Sequence, residues 1–246
     1  MSKKLAAGAQ AIVLDVKVGD GAFMESGGDA QALAETMIEL GRRAGREVVC
    51  LLTDMDQPLG RAIGNALEIR EAVATLRGEG PPDFVELVLS ACSRLLAVSD
   101  LGVDEAEGRR RAEQAIADGS ALEAYDRWIR AQGGDPDEAV LPAAPVFREL
   151  AADRPGYVAE LGAVRVGQAA LRLGAGRRAK DDAIDHSVGI VCRAKRGDRV
   201  AAGESIAEIH ALTDEAAAEA ARDLLGAYRL SGEPPHERPI VLDVLA

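Results

Sequence analysis

The sequence predicts an α/β protein, a mostly parallel sheet flanked by helices, followed by a C-terminal α+β subdomain. Three observations carry this. Hydrophobic residues make up 48% of the 246-residue chain but aromatics only 3%, so the core is built from Ala, Val, Leu and Ile, a composition suited to helices packed on a sheet. Two largely apolar runs, Ala11–Val18 and Glu47–Leu52, flank a stretch of helical periodicity, which is the pattern of a βαβ unit with a parallel crossover. From Pro155 onward, short strand-like runs alternate with helical patterns.

Taken in order, Ala11–Val18 reads as a strand with Asp15 and Lys17 near its carboxyl end, and Gly19-Asp20-Gly21 as a loop needing backbone freedom. No G-x-G-x-x-G or P-loop pattern accompanies that loop. Asp29–Ala44 places Leu33, Met37, Ile38 and Leu40 at helical spacing and stops at Gly45. The stretch from Leu51 to Ala72 then packs a strand end, a turn and a helix start together. The apolar run ends at Thr53-Asp54, and Pro58 bars an earlier helix, so Thr53–Gly60 is expected to be a loop at the carboxyl end of a buried strand. From Ala62, the positions Ile63, Leu67, Ile69, Ala72, Val73 and Leu76 predict a helix with Gly78 at its C-cap. In open α/β sheets, the crevice beyond strand ends is where ligands bind.

Pro81-Pro82 breaks the chain, and Asp83 is expected to cap a helix through Phe84, Leu87, Val88, Ala91, Leu95 and Leu96. Asp104–Ala117 and Ser120–Gln132 predict two more helices, the second packing Tyr125 and Trp128 on the core. Gly133–Pro136 is a loop, and the irregular Leu141–Leu150 is the candidate boundary. Beyond it, 156–159, 189–192 and 205–209 are strand-like, while 165–173 and 213–228 are helical. The resulting division is 1–10, a remnant of a helix that began earlier, then 11–150 and 151–246.

Composition excludes several classes of function. A formal net charge of −12 argues against a nucleic-acid partner, because that affinity rests on Lys and Arg displacing counterions. Cys50, Cys92 and Cys192 are odd in number and sit in apolar runs, as buried reduced thiols do, which points to the cytoplasm. No stretch approaches the roughly 20 apolar residues a membrane span needs, and the amino terminus has no signal-peptide core. Asp181, Asp182, Asp185 and His186 follow Arg177, Arg178 and Lys180, so a charge-compensated turn is expected there rather than a metal cluster. His210 reads as a residue at the core's edge. Gly189–His210 also resembles the hairpin grammar of biotinyl and lipoyl carrier domains, but Lys195 sits just before the Gly197-Asp198 turn without the flanking signature of a modified lysine, so a carrier function is not expected.

Four segments, in this order, resemble the thymidine and pyrimidine-nucleoside phosphorylase family: Ser2–Gly8 (SKKLAAG), Asp15–Met24 (DVKVGDGAFM), Leu51–Ala72 (LLTDMDQPLGRAIGNALEIREA) and Gly176–Ile190 (GRRAKDDAIDHSVGI). By this resemblance the chain corresponds only to the C-terminal part of such an enzyme, residues 11–150 to a partial α/β core and 151–246 to its hammerhead-like α+β domain. The family's Gly/Thr/Ser/Lys-rich phosphate-binding segment has no counterpart here, so the chain is expected to be truncated and inactive alone. The resemblance places Lys3 on a lysine that hydrogen-bonds a pyrimidine carbonyl and Phe23 on an apolar residue lining the base pocket. It places Leu59 and Ala62 on carbonyl donors that, with the Glu71 carboxylate, hold a potassium ion, at a site this chain leaves incomplete. It implies a pyrimidine nucleoside and phosphate as co-substrates, no organic cofactor, and a homodimer for the complete enzyme. The residues alone favour reading Lys3 as a solvated terminal lysine and Glu71 as an exposed helix residue. An interaction module that complements a separate N-terminal half is the alternative.

Overall fold

A computed structural model describes residues 1–246, which form two compact units, each discontinuous in sequence: 1–55 with 82–121 and 238–246, and 56–81 with 122–237. No single cut near residue 150 therefore separates them.

In the first unit, β1 (Ala11–Val18) pairs in parallel with β2 (Glu47–Asp54), from Ala11 opposite Glu47 to Val18 opposite Asp54. A short helix α1 (Ser2–Ala6) precedes β1, and α2 (Gly27–Arg43) makes the crossover. The Ser26 hydroxyl caps α2 by accepting the Asp29 amide at 3.2 Å. Ala30, Ala34 and Ile38 form its buried stripe against the strands. Small residues let helix and sheet approach closely: a Cβ on Gly41 would lie 2.1 Å from the Val48 side chain.

Strand β2 runs through Thr53 and Asp54, two residues past the expected loop start. Both are buried and remain in the ladder with β1; Thr53 also pairs with Val241 of β10 (Val241–Leu245), and the Asp54 amide donates to the Ile240 carbonyl at 2.9 Å. Because β10 pairs antiparallel with β2, this sheet is mixed rather than mostly parallel. Next, α4 (Pro82–Ala97) begins at Pro82, a residue suited to a first helical position, and α5 (Glu105–Ala117) is capped by Asp104, which accepts the Glu107 amide at 2.8 Å. Arg109 ties α5 to α4 through both carboxylate oxygens of Glu86 at 2.9 and 2.7 Å. The guanidinium holds the Glu86 carboxyl below its ordinary range.

The second unit is antiparallel throughout. One sheet runs β3 (Ala62–Ile63), β6 (Gly189–Cys192), β8 (Ser205–Ala211), β4 (Val146–Ala151); another runs β7 (Arg199–Val200), β5 (Gly156–Leu161), β9 (Tyr228–Ser231). The helices α7 (Ala163–Ala170) and α8 (Asp214–Leu225) contribute Val166 and Leu224 to a core with Val158, Leu161, Ile190, Ile206 and Ile209, all essentially inaccessible. Each such side chain contributes roughly 1.5–3 kcal/mol of burial. Helix α3 (Asn65–Leu76) starts three residues later than its periodicity suggested, because Ala62 and Ile63 pair with β6 and Gly64 turns the chain at φ +137°. A Cβ at Gly64 would meet the Val188 carbonyl at 2.5 Å. The expectation fails for Trp128, which is 60% exposed on α6 (Ser120–Ala131), while Tyr125, edge-on to it at 6.3 Å, is half-buried. Helical spacing identified the face but not whether anything covers it.

The α/β class and the C-terminal α+β region are both present, and no helix is long and apolar enough to cross a membrane.

Candidate active site and its ordered loop

The loop after β1 is folded by its backbone. The Gly19 amide donates to the Met24 carbonyl at 3.0 Å and the Gly21 amide to the Met55 carbonyl at 2.8 Å, while Val18 and Met24 form a parallel bridge. Gly19 turns at φ +124°, a value that side-chain-bearing residues avoid. Phe23 consequently projects into solvent beside the carboxyl end of β1, fully exposed. Behind it, the Asp15 carboxylate receives the Thr53 hydroxyl and pairs with the Lys17 ammonium at 2.6 Å, joining β1 to β2.

Lys3 lies elsewhere. It is exposed on α1, and the neighbouring Met1 methyl packs beside Gly41 and Val48, at the amino end of β2. The eight residues of β1, about 25 Å of extended chain, separate that end from Phe23. The structure does not bring Lys3 and Phe23 together.

Leu59, Ala62 and Glu71, in contrast, do share one neighbourhood in the second unit. The Glu71 side chain turns back from the second turn of α3, and one carboxylate oxygen accepts the amides of Arg61 at 2.9 Å and Ala62 at 3.1 Å. It is half-buried, not a free surface residue. Gly60, at φ +63°, lies against it so closely that a Cβ would stand 2.2 Å from Oε2. The Arg61 carbonyl accepts the Cys192 amide at 2.8 Å. In an antiparallel ladder the next residue faces the other way, so the Ala62 carbonyl lies on the side of Glu71.

Residues to which sequence reasoning assigned no role in this loop complete it. The Lys195 ammonium donates to the carbonyls of Pro58 and Gly60. The Gln57 side chain accepts the Arg196 amide at 3.0 Å, and the Arg196 guanidinium lies 3.9 Å from Asp56. The Lys195–Asp198 turn is itself closed by the Asp198 carboxylate on the Lys195 amide at 2.8 Å. The only sequence signal for Lys195 was its place before Gly197-Asp198, without the flanking signature of a carrier lysine, and in the structure its amine is occupied in this cluster instead of being displayed.

Carbonyl oxygens with one carboxylate are the donors a hard cation prefers, so the chemistry of the set fits potassium. Two of the loop's carbonyls, however, face an ammonium, and Glu71 Oε1 is engaged by two amides. Nearby, burial pushes the Cys192 thiol up to about 11; the other thiols, Cys50 and Cys92, are also free, and all three are shifted upward.

The remaining candidates are structural. Asp182 accepts the amides of Arg178 and Ala179, both at 3.0 Å, and Asp185 accepts the Ser187 amide at 2.8 Å, as in a self-satisfied turn. No cluster of three or more His, Cys, Asp or Glu side chains forms a metal site. His210 packs edge-on against Phe147 at 5.4 Å. A cavity of about 190 Å³ beside Asn65 and Glu68 falls below the volume of pockets that take molecules of nucleoside size.

The chain matches two described domains: the a/b domain of the glycosyl transferase family over residues 1–122, and the pyrimidine nucleoside phosphorylase C-terminal domain over residues 157–231. It is 45% identical over 250 aligned residues to the pyrimidine-nucleoside phosphorylase of Geobacillus stearothermophilus, covering 100% of this chain and 58% of that protein. It is 49% identical over 214 residues to the protein of the same description from Staphylococcus haemolyticus, covering 85% of this chain and 49% of that one. The counterpart from Staphylococcus aureus strain USA300 is 48% identical over 216 residues, at 85% and 49%. The chain thus spans about half the length of the curated relatives it matches. The expectation of a likeness confined to the C-terminal part is corrected, since the a/b domain is matched from residue 1. Both domains are matched and nearly half of the aligned positions are identical, so over its whole length the chain is similar to pyrimidine-nucleoside phosphorylases.

Proposed function

We propose that this chain supplies the base-binding side of a pyrimidine-nucleoside phosphorylase, an enzyme that transfers the pentose of a pyrimidine nucleoside to phosphate. The glycosidic C–N bond breaks, its electron pair leaves with the base, and a phosphate oxygen forms the new bond to the sugar, giving free base and (2-deoxy)ribose 1-phosphate. The observation that carries the reading is the 45% identity, over the full chain, to a protein so described.

Support from geometry comes from Phe23. Its ring is exposed at the carboxyl end of β1, the position at which open α/β sheets receive ligands, and an aromatic face suits a planar base. Lys3 sits at the opposite end of β1, so base binding in this conformation rests on Phe23. Glu71 with the Leu59 and Ala62 carbonyls supports the cation part of the reading, as a device that fixes the loop. Phosphate itself is expected to be gripped by residues other than these.

Thymine and uracil titrations by calorimetry test the proposal. Saturable binding, weakened about tenfold in Phe23→Ala, is the expected result, in line with the roughly 1–3 kcal/mol that stacking on an aromatic contributes. Absence of binding to the folded chain would refute it. Phosphate-dependent release of thymine from thymidine by the 246-residue chain alone would overturn the narrower expectation that the phosphate grip lies elsewhere.

A further inference from the structure

The carbonyls of Pro58 and Gly60 converge on one point, and the group found there belongs to the chain itself. Lys195 is 137 residues away from Pro58 in sequence, yet its ammonium donates to both oxygens. Carbonyl dipoles converging on a point create a negative potential that a loop cannot sustain unfilled; either water, a metal ion or a side-chain cation must answer it. An ammonium is a compact point charge with three donors, able to serve two carbonyls and a further oxygen at once.

The lysine is held for this task by several independent contacts. Its own amide is fixed by the Asp198 carboxylate at 2.8 Å, and the Asp198 amide returns to the Lys195 carbonyl at 3.0 Å. The next residue, Arg196, donates its amide to Gln57 in the same loop at 3.0 Å. On the loop's other flank, Glu71 binds the amides of Arg61 and Ala62. The cluster therefore pairs an ammonium and a carboxylate across a run of five residues, 58–62. Both charges are felt at the buried Cys192 thiol, which Lys195 stabilises as thiolate and Glu71 opposes.

We propose that Lys195 is a built-in cation for the Pro58–Gly60 carbonyls, and that its ammonium and a hard monovalent ion are alternative occupants of this oxygen cluster. Lys195 is thus a positioning residue: it fixes the loop and the start of β3 without touching a substrate. The inference uses the proposed cation role of this loop only to name the competitor.

Thermal unfolding of the full chain in potassium chloride and in tetramethylammonium chloride, at equal ionic strength, tests it. The wild type is expected to unfold at the same temperature in both salts. Lys195→Met is expected to unfold at least about 4 °C lower in tetramethylammonium and to recover a large part of that in potassium, a salt-specific rescue that mere loss of packing would not give. If both proteins gain equally from potassium, the ion and the lysine coexist and the inference fails while the cation reading stands. If neither responds, both fail.

Should Lys195→Met not fold, competitive acylation of the wild type decides the matter. Lys195 is expected to react at least about tenfold more slowly than Lys180 in either salt, because an amine held by two carbonyls rarely presents its lone pair. A Lys195 that reacts as readily as Lys180 in either salt would overturn the proposal.

Discussion

Two loops that follow parallel strands are built in opposite ways. The loop after β1 is tied through its own backbone and through Met55, and it leaves Phe23 bare. The loop after β2 is bound from three distant places: by the Glu71 carboxylate on α3, by the Lys195 ammonium and the Arg196 amide before β7, and by the Cys192 amide from β6. The difference teaches that glycine in a strand-end loop serves two purposes. At Gly19 it permits a turn that exposes the next residues, whereas at Gly60 it clears space for a carboxylate to seal the backbone.

The sharpest way to break the second loop is behind it. Gly64→Ala forces a side chain into φ +137° and against the Val188 carbonyl, so a loss of about 4 kcal/mol or more is expected by urea unfolding. A loss under about 1 kcal/mol would show that the turn into α3 is pliable.

Glu71→Ala strands the amides of Arg61 and Ala62, and each unpaired amide costs roughly 1–3 kcal/mol, giving an expected loss of about 3 kcal/mol. Wild-type stability in that variant would mean the carboxylate is replaceable by water.

A third effect appears only at alkaline pH. Burial raises the Cys192 thiol from 9.0 to about 11, so the folded state favours the neutral form. That contribution is fully present below pH 9 and is lost as pH rises toward 11, at most about 2–3 kcal/mol. Between those pH values Cys192→Ala should therefore lose less stability than the wild type. Parallel pH profiles for the two proteins would rule out this linkage.

Last and smallest, Phe23→Ala should change stability by no more than about 0.5 kcal/mol, since the ring contacts nothing it would leave empty. A larger change would mean that the first loop also relies on its side chains.

Much of the fold was legible because it is local. The apolar runs gave β1 and most of β2, and the polar helical stretch Asp104–Ala117 gave α5 to within one residue at its start and to the residue at its end. What escaped was decided by distant partners. Thr53 and Asp54 look like loop residues until Asp15 and β10 pair with them, and the sequence reading assigned nothing to Val241–Leu245. Ala62 and Ile63 have helical spacing with α3, but β6 claims them as a strand. Trp128 illustrates the converse, an aromatic at helical spacing that stays 60% exposed. Of the site, Glu71 was named through family likeness, whereas its reach back to the loop is a feature of the fold. Lys195 was singled out for a different chemistry, because nothing in a local motif signals a partner 137 residues away.

The most direct test of the contrast is amide hydrogen exchange read residue by residue. The account predicts that the Arg61 and Ala62 amides exchange at least about 100-fold more slowly than that of Phe23, and that Glu71→Gln narrows the gap. Equal exchange at the three sites in the wild type would contradict it.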